Sequence, residues 1–326
     1  MKKFSCVITR LLTTGLLLPL AGPAAAQQPY PYRPIRIISP YAAGGGNSIM
    51  ARLIGQKLTE AWGQQVIVDS RPGGNTIIGT EATVKATPDG YTVLLAGSSH
   101  VLVPLVLKTP YGPIKDFTAI AGVAKYELIL VTNPSLPANN LKELIALAKS
   151  KPGQLNYVTW GSGSVSHLGM ELLSMMTGIH MVHIPYKGTA PALMDVIGGH
   201  ADLFLSTPSA PIPQIKAGKL KAIAVCGESR SPAVPDVPTF AESGLPDFKP
   251  RSWYGIVAPA GVPKAIVDKM SAEIGRIIAM PDTREKLNAQ GVEPRFLNPE
   301  QFAALMKSDI ALWEKVIKTA NIKLEN

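Results

Sequence analysis

Cysteine is almost absent from this chain. The 326 residues hold two, Cys6 and Cys226. Cys6 lies ahead of an N-terminal apolar stretch, which leaves Cys226 alone in the remainder. A lone thiol closes no internal disulfide, so a disulfide-stapled fold is excluded. Cys226 sits in the strand-like run LKAIAVCG and reads as a small buried apolar residue. Histidine is scarce too, at five. His180 and His183 are three apart in a strand-like run and face opposite sides, while His167 and Glu171 share a helix face. Two such residues do not make a metal site, and none is expected; nor is a cofactor. Aromatic residues make up 6% and interleave with no basic stripe, so nucleic acid is not an expected partner. There is no Gly-Lys-Ser/Thr phosphate loop and no G-x-S-x-G nucleophile turn. Beyond residue 26 no long uncharged apolar run occurs, so the rest of the chain is expected to be soluble.

What is present begins with an export signal. Lys2, Lys3 and Arg10 precede or open the apolar stretch LLTTGLLLPL (11–20), and AGPAAAQQ follows. This is the pattern of a secretory signal peptide, 1–26, cleaved after Ala26; the apolar stretch is too short for about 30 Å of hydrocarbon. The formal net charge is +9, and those three basic residues leave +6 for the remainder. A positive balance suits an anionic ligand or an anionic surface.

From residue 35 onward, short apolar runs alternate with helical periods. IRIIS (35–39), QVIVD (65–69) and YTVLLAG (91–97) are strand-like, and 48–61 and 76–86 are helical, with Ile49, Leu53, Ile54 and Leu58 on one face of the first helix. A second block starts near Glu127: strands at 128–133, 154–160, 180–186, 201–206 and 220–226, with helices between them. Such alternation predicts βαβ units and mainly parallel sheets. A Pro-, Ser- and acid-rich linker (227–250) leads to a strand at 252–261 and helices at 263–279, 281–290 and 298–321. A helical tail after so long a crossing packs back on the first block. The expected organisation is two α/β lobes, 27–126 plus 251–326 and an inserted 127–250, with a cleft between them and hinges near Lys125–Val131 and Pro246–Trp253.

Three stretches could carry chemistry. In AGGGNS, the run Gly44-Gly45-Gly46 demands either positive φ or close approach of something to the backbone. Asn47 or Ser48 could cap the helix that follows, whose N-terminus offers unpaired N–H groups to an anion. A dinucleotide fingerprint is only partly matched, because Ile49 stands where a third glycine or alanine belongs. In WGSGSVSH, Gly161, Ser162, Gly163 and Ser164 repeat the device in the second block, with Ser164 as the cap. Two helix N-termini facing one cleft would suit a small carboxylate. Ser98 and Ser99 follow a strand, where α/β sheets place ligand contacts. For each stretch the plain alternative is a polar tight turn.

The stretches PYRPIRIISPYAAGGGNSIMARLIGQKL, GSGSVSHLGMELL, HIPYKGTAPALMDVIGGHADLFLSTPS and SPAVPDVPTFAESGLPDF together resemble the tripartite tricarboxylate transporter substrate-binding proteins, the Bug or TctC-like family, over nearly the whole chain after residue 26. The resemblance implies a periplasmic, two-lobed binding protein of the type II arrangement, a monomer and not an enzyme. It would close on a small organic acid and deliver it to integral-membrane permease subunits; the alternative is a receptor for sensing or carriage without a permease. It points to Tyr41, Gly44, Gly45, Gly46, Asn47, Ser48, Ser98, Ser99, Gly161, Ser162, Gly163, Ser164, His167 and Asp202 as ligand-binding. Two departures bear on ligand choice. Asn47-Ser48 stands where the family often has Thr-Asp, and Leu205 where an acid is common, so a tricarboxylate is not assumed.

Overall fold

A computed structural model describes residues 29–319; the expected signal peptide, 1–26, lies outside them. The chain runs β1 (Ile35–Ser39), α1 (Gly46–Trp62), β2 (Val66–Ser70), α2 (Ile77–Val84), β3 (Thr92–Gly97), α3 (Ser99–Val106) and β4 (Phe117–Glu127). It continues through β5 (Ile129–Thr132), α4 (Leu141–Ser150), β6 (Asn156–Thr159), α5 (Val165–Thr177), β7 (Val182–Pro185), α6 (Thr189–Ile197), β8 (Leu203–Ser206), α7 (Pro211–Lys216) and β9 (Lys221–Val225). It closes with β10 (Arg251–Pro259), α8 (Lys264–Ala279), α9 (Pro281–Ala289), β11 (Val292–Leu297) and α10 (Pro299–Thr319).

These elements form two lobes, each on its own sheet. The first sheet has the order β11-β4-β10-β3-β1-β2 and the second β7-β6-β8-β5-β9. Both are mixed, which corrects the mainly parallel expectation. β1 pairs in parallel with β2 and β3, and β6 with β7 and β8. The strands at the crossings run antiparallel: β10 against β3 and β4, and β5 against β8 and β9. A chain that leaves one sheet and re-enters it from the other lobe arrives from the opposite end, so its strands reverse.

Local sequence explains the elements that position the cleft. β3 is buried along its whole length and forms the centre of its lobe. α1 lays Met50, Ala51, Ile54 and Leu58 on the sheet, and Ile49 and Leu53 are only half-buried, so the packed stripe is turned from the expected one. Gly63, at φ 66°, ends this helix in the left-handed region. α4 is capped by Asn140, whose side chain accepts from Glu143 N–H, while the Glu143 carboxylate accepts from Asn139 N–H. One crossing is a single buried residue, Leu128, between β4 and β5; the other is the 226–250 segment, anchored by buried Phe240 and Phe248.

Candidate ligand-binding site

A cavity of about 20 Å³ lies between the lobes. Its walls are Tyr41, Gly45, Asn47, Gly97, Ser98, Ser99, Tyr126, Trp160, Thr189, Thr207 and Tyr254. Most of these residues follow the C-terminal ends of strands β1, β3, β6, β7 and β8, where open α/β sheets place ligands. The space is that of about one water molecule. No charged side chain lines it.

The β1–α1 turn contributes bare backbone. Its three glycines divide the two demands between them. Gly44 has φ +93°, so the positive φ falls there and not at Gly45, which is extended at φ −86°. Gly45 and Gly46 serve close approach: a Cβ on Gly45 would meet Thr189 Cβ at 3.2 Å, and one on Gly46 would stand 2.5 Å from the Tyr254 hydroxyl. Helix α1 begins at Gly46 with Gly45 as a cap lacking a side chain, so neither Asn47 nor Ser48 caps it. Ser48 Oγ instead accepts from Gly44 N–H (2.9 Å) and donates to Gly45 O (3.0 Å). The Asn47 side chain accepts from Ser39 Oγ (2.7 Å) and donates to Leu95 O (2.9 Å), which pins the start of α1 to β1 and β3. The N–H groups of Gly45, Gly46 and Asn47 have no protein acceptor among the described residues. They are the orphan donors of a helix start, carrying its partial positive charge.

Hydroxyls complete the wall. Ser98 and Ser252 share a 2.6 Å hydrogen bond, and Ser252 donates to the Tyr126 hydroxyl at 2.8 Å. Trp160 Nε1 donates to Ser99 Oγ across the cleft at 3.4 Å. The Tyr254 hydroxyl and Thr207 Oγ1 are buried beside one another, and Tyr254 also lies beside the Tyr126 hydroxyl, with none of these contacts a well-formed hydrogen bond. An unpaired buried hydroxyl costs about 1–3 kcal/mol, and a guest in the cavity could pair these two better than they pair each other. Burial pushes the Tyr126 phenol up to about 12 and raises Tyr41 and Tyr254 as well. All three keep their protons at neutral pH and present donors.

The second-lobe loop is arranged differently from the expectation. Ser164 does cap α5, accepting from His167 N–H at 3.3 Å. Gly161–Ser164, however, do not line the cavity, and their amides are engaged elsewhere. Ser162 N–H donates to Asn75 Oδ1 of the first lobe at 2.9 Å. That Asn75 and the following Thr76 hold positive φ, 52° and 78°. Such backbone is strained for Thr, and here it sits in the segment that grips the other lobe. The lobe-2 helix whose start does reach the cavity is α6, through Thr189; beside it Ala42 N–H donates to Lys187 O at 3.0 Å. His167 is packed inside lobe 2, its ring stacked 3.8 Å from His183. Asp202 stands at the opposite end of β8 from Thr207, about 16 Å away at about 3.3 Å per strand residue. Its carboxylate accepts from Asn156 N–H (2.8 Å), and its own N–H donates to Asn156 Oδ1 (3.0 Å), clamping β8 to β6. Of the residues singled out in the sequence, the structure brings Tyr41, Gly45, Asn47, Ser98 and Ser99 to the cavity wall, with Gly44, Gly46 and Ser48 shaping the turn behind it.

Comparison with known proteins agrees with this architecture. The family model of the tripartite tricarboxylate transporter family receptor, TctC, matches residues 50–322. The protein BugT of Bordetella pertussis is 36% identical over 98% of this chain and 99% of its own. A solved structure of the periplasmic binding protein BugD superposes with a TM-score of 0.87 at 34% identity, covering 91% of this chain and 100% of that one. The R. palustris protein Rpa4515, solved with adipate, gives 0.88 at 33% identity, covering 90% and 99%. With its two lobes, its interlobe cavity and this match along nearly its full length, the chain belongs to the TctC family of periplasmic solute-binding receptors.

Proposed function

We propose that this protein binds a small carboxylate between its lobes in the periplasm and hands it, chemically unchanged, to permease subunits of a tripartite tricarboxylate-type transporter. One observation carries the reading. Gly45 and Asn47, whose amides have no protein acceptor among the described residues, share a cavity wall with the buried hydroxyls of Tyr254 and Thr207. A carboxylate is acceptor-only and negative, which is what a wall of donors at a helix N-terminus pairs with. Each hydrogen bond to a charged group contributes about 1.5–3 kcal/mol, so about four or five together reach the 8 kcal/mol or so of a micromolar ligand after closure costs. The adipate bound by a relative supports a dicarboxylate.

The cavity holds about one water, so the ligand enters with the lobes apart. The moving bodies are 27–126 plus 251–326 and 127–250, turning about Leu128 and the 246–253 segment. Calorimetry with a panel of mono-, di- and tricarboxylates tests binding, and mass spectrometry of small molecules released from protein purified from its native source tests ligand identity. Saturable binding of a carboxylate with a compaction seen by small-angle scattering is the expected outcome. Binding only of uncharged solutes, or steady hydrolysis of an ester or amide, would overturn the proposal.

A further inference from the structure

Three of the four amides in the Gly161–Ser164 loop are consumed inside lobe 2. Gly161 N–H donates to Thr159 Oγ1 at 3.2 Å, and that oxygen lies 2.7 Å from His183 Nε2. Gly163 N–H donates to His167 Nδ1 at 3.2 Å, and Ser164 N–H to Gly161 O at 3.2 Å. Only Ser162 N–H points out of the lobe, to Asn75.

A backbone N–H can only donate, so Nδ1 of His167 carries no proton and the ring is the neutral Nε2–H form. Three titratable groups face the ring: His183 from β7, stacked at 3.8 Å and 14°; Tyr157 from β6, at 6.3 Å and 26°; and Glu171 from α5 itself. The Glu171 oxygen is 3.9 Å from Nε2, beyond hydrogen-bond reach, and already accepts the Tyr157 hydroxyl. Glu171 is thus the one group placed to favour an imidazolium, without a hydrogen bond to the ring, while burial and the second ring stacked on the first oppose one.

We propose that neutral His167 is a positioning residue: by accepting the Gly163 amide it sets the loop so that the Ser162 amide is left as the donor that fastens lobe 2 to Asn75 over the ligand. Protonation at Nδ1 would put two N–H groups face to face and release the loop. Burial and the His183 ring lower His167 to about 3, which agrees with a neutral ring across the neutral range. The consequence for ligand affinity rests on the carboxylate-receptor reading, whereas the loop geometry does not.

The test is amide exchange at Gly161–Ser164 by NMR, with adipate affinity followed from about pH 6.5 to 8, in wild type, His167→Asn and His167→Phe. Asn keeps an acceptor near the Nδ1 position and does not titrate; Phe keeps the stack and loses the acceptor. In His167→Phe the Gly163 amide should exchange about tenfold faster and adipate should bind about tenfold more weakly at every pH. His167→Asn should match wild type within about twofold in both the exchange rate and the affinity. Unchanged Gly163 exchange in a folded His167→Phe, or Gly163 exchange in His167→Asn as fast as in a variant without an acceptor, would reduce His167 to a packing residue. If the Phe variant does not fold, the Asn variant decides. If wild type binds no adipate, the exchange rates decide without ligand.

Discussion

The β1–α1 turn and the β6–α5 turn look alike and behave oppositely. Each joins a parallel strand to a helix through glycines and small polar residues. In the first, Ser48 takes one amide and the next three have no protein acceptor among the described residues. In the second, Thr159, His167, Gly161 and Asn75 take all four. The glycines permit either result. What decides is which acceptors the surrounding fold brings within reach, and three of those four come from outside the loop's own residues. A glycine-rich turn is thus a ligand site only where acceptors are withheld from it. On the proposed reading the first turn is the receptor's donor set, and the second is part of its fastening.

Several substitutions would break or sharpen this contrast. The largest effect is expected from Gly46→Val, whose side chain would collide with the Tyr254 hydroxyl and crowd Thr207. Calorimetry should show affinity for the best carboxylate reduced by about 100-fold or more, about 2.7 kcal/mol. Gly45→Val should cost less, because Thr189 belongs to the lobe that moves, and Arg71→Ala less still.

Acid is expected to act on the second turn and not on the first. His167 and His183 are lowered to about 3 and about 4 by burial. The unfolded chain binds those protons near the ordinary 6.5, so between about pH 6.5 and 3 it binds more protons than the folded one. The stability that the neutral rings contribute is complete above about 6.5 and is lost as pH falls through this window. Chemical denaturation at a series of pH values should give a midpoint that falls with acid, and replacing both histidines by non-titrating residues should make the fall shallower, leaving the part due to His100, which burial lowers to about 4.

Asn75→Gly keeps the positive φ and removes the acceptor for Ser162 N–H. Affinity should fall by about five- to tenfold, and small-angle scattering should show less compaction with ligand; Asn75→Asp should retain both. The smallest effect on binding is expected for Asp202→Asn, at the far end of β8. Thermal melting should drop by about 1 kcal/mol of stability with affinity unchanged, because only the β6–β8 clamp is weakened.

Much of the fold was legible because it is periodic. The helices expected at 263–279 and 281–290 are α8 and α9 within one residue at each end, and α10 starts one residue after the expected 298; the expected end at 321 lies outside the described residues. Three elements were not legible. β4 hides in FTAIAGVAKYE, where Ala and Gly blur the alternation; α3 carries Val101, Val103 and Pro104; and β11 carries Pro294, which an edge strand tolerates. For the cavity wall, Ser98 and Ser99 were found from their place after a strand. The same rule applied to β6 and β8 would have found Trp160 and Thr207. Tyr126 and Tyr254 had no such signal, since they meet only when β4 and β10 pair beneath the cleft. His167 and Asp202 were drawn toward the ligand by family likeness, and only side-chain partners distinguish a wall residue from one packed behind it.

The central claim is that the ligand carboxylate sits on the amides of the first turn and not on those of the second. An NMR titration of labelled protein with the best-binding carboxylate of the panel reads both turns at once. The amide protons of Gly45, Gly46 and Asn47 should move strongly downfield as they gain a charged acceptor, while those of Gly161 and Gly163 stay close to their starting shifts. Strong downfield movement at Gly161–Ser164 with Gly45–Asn47 unmoved would contradict the account.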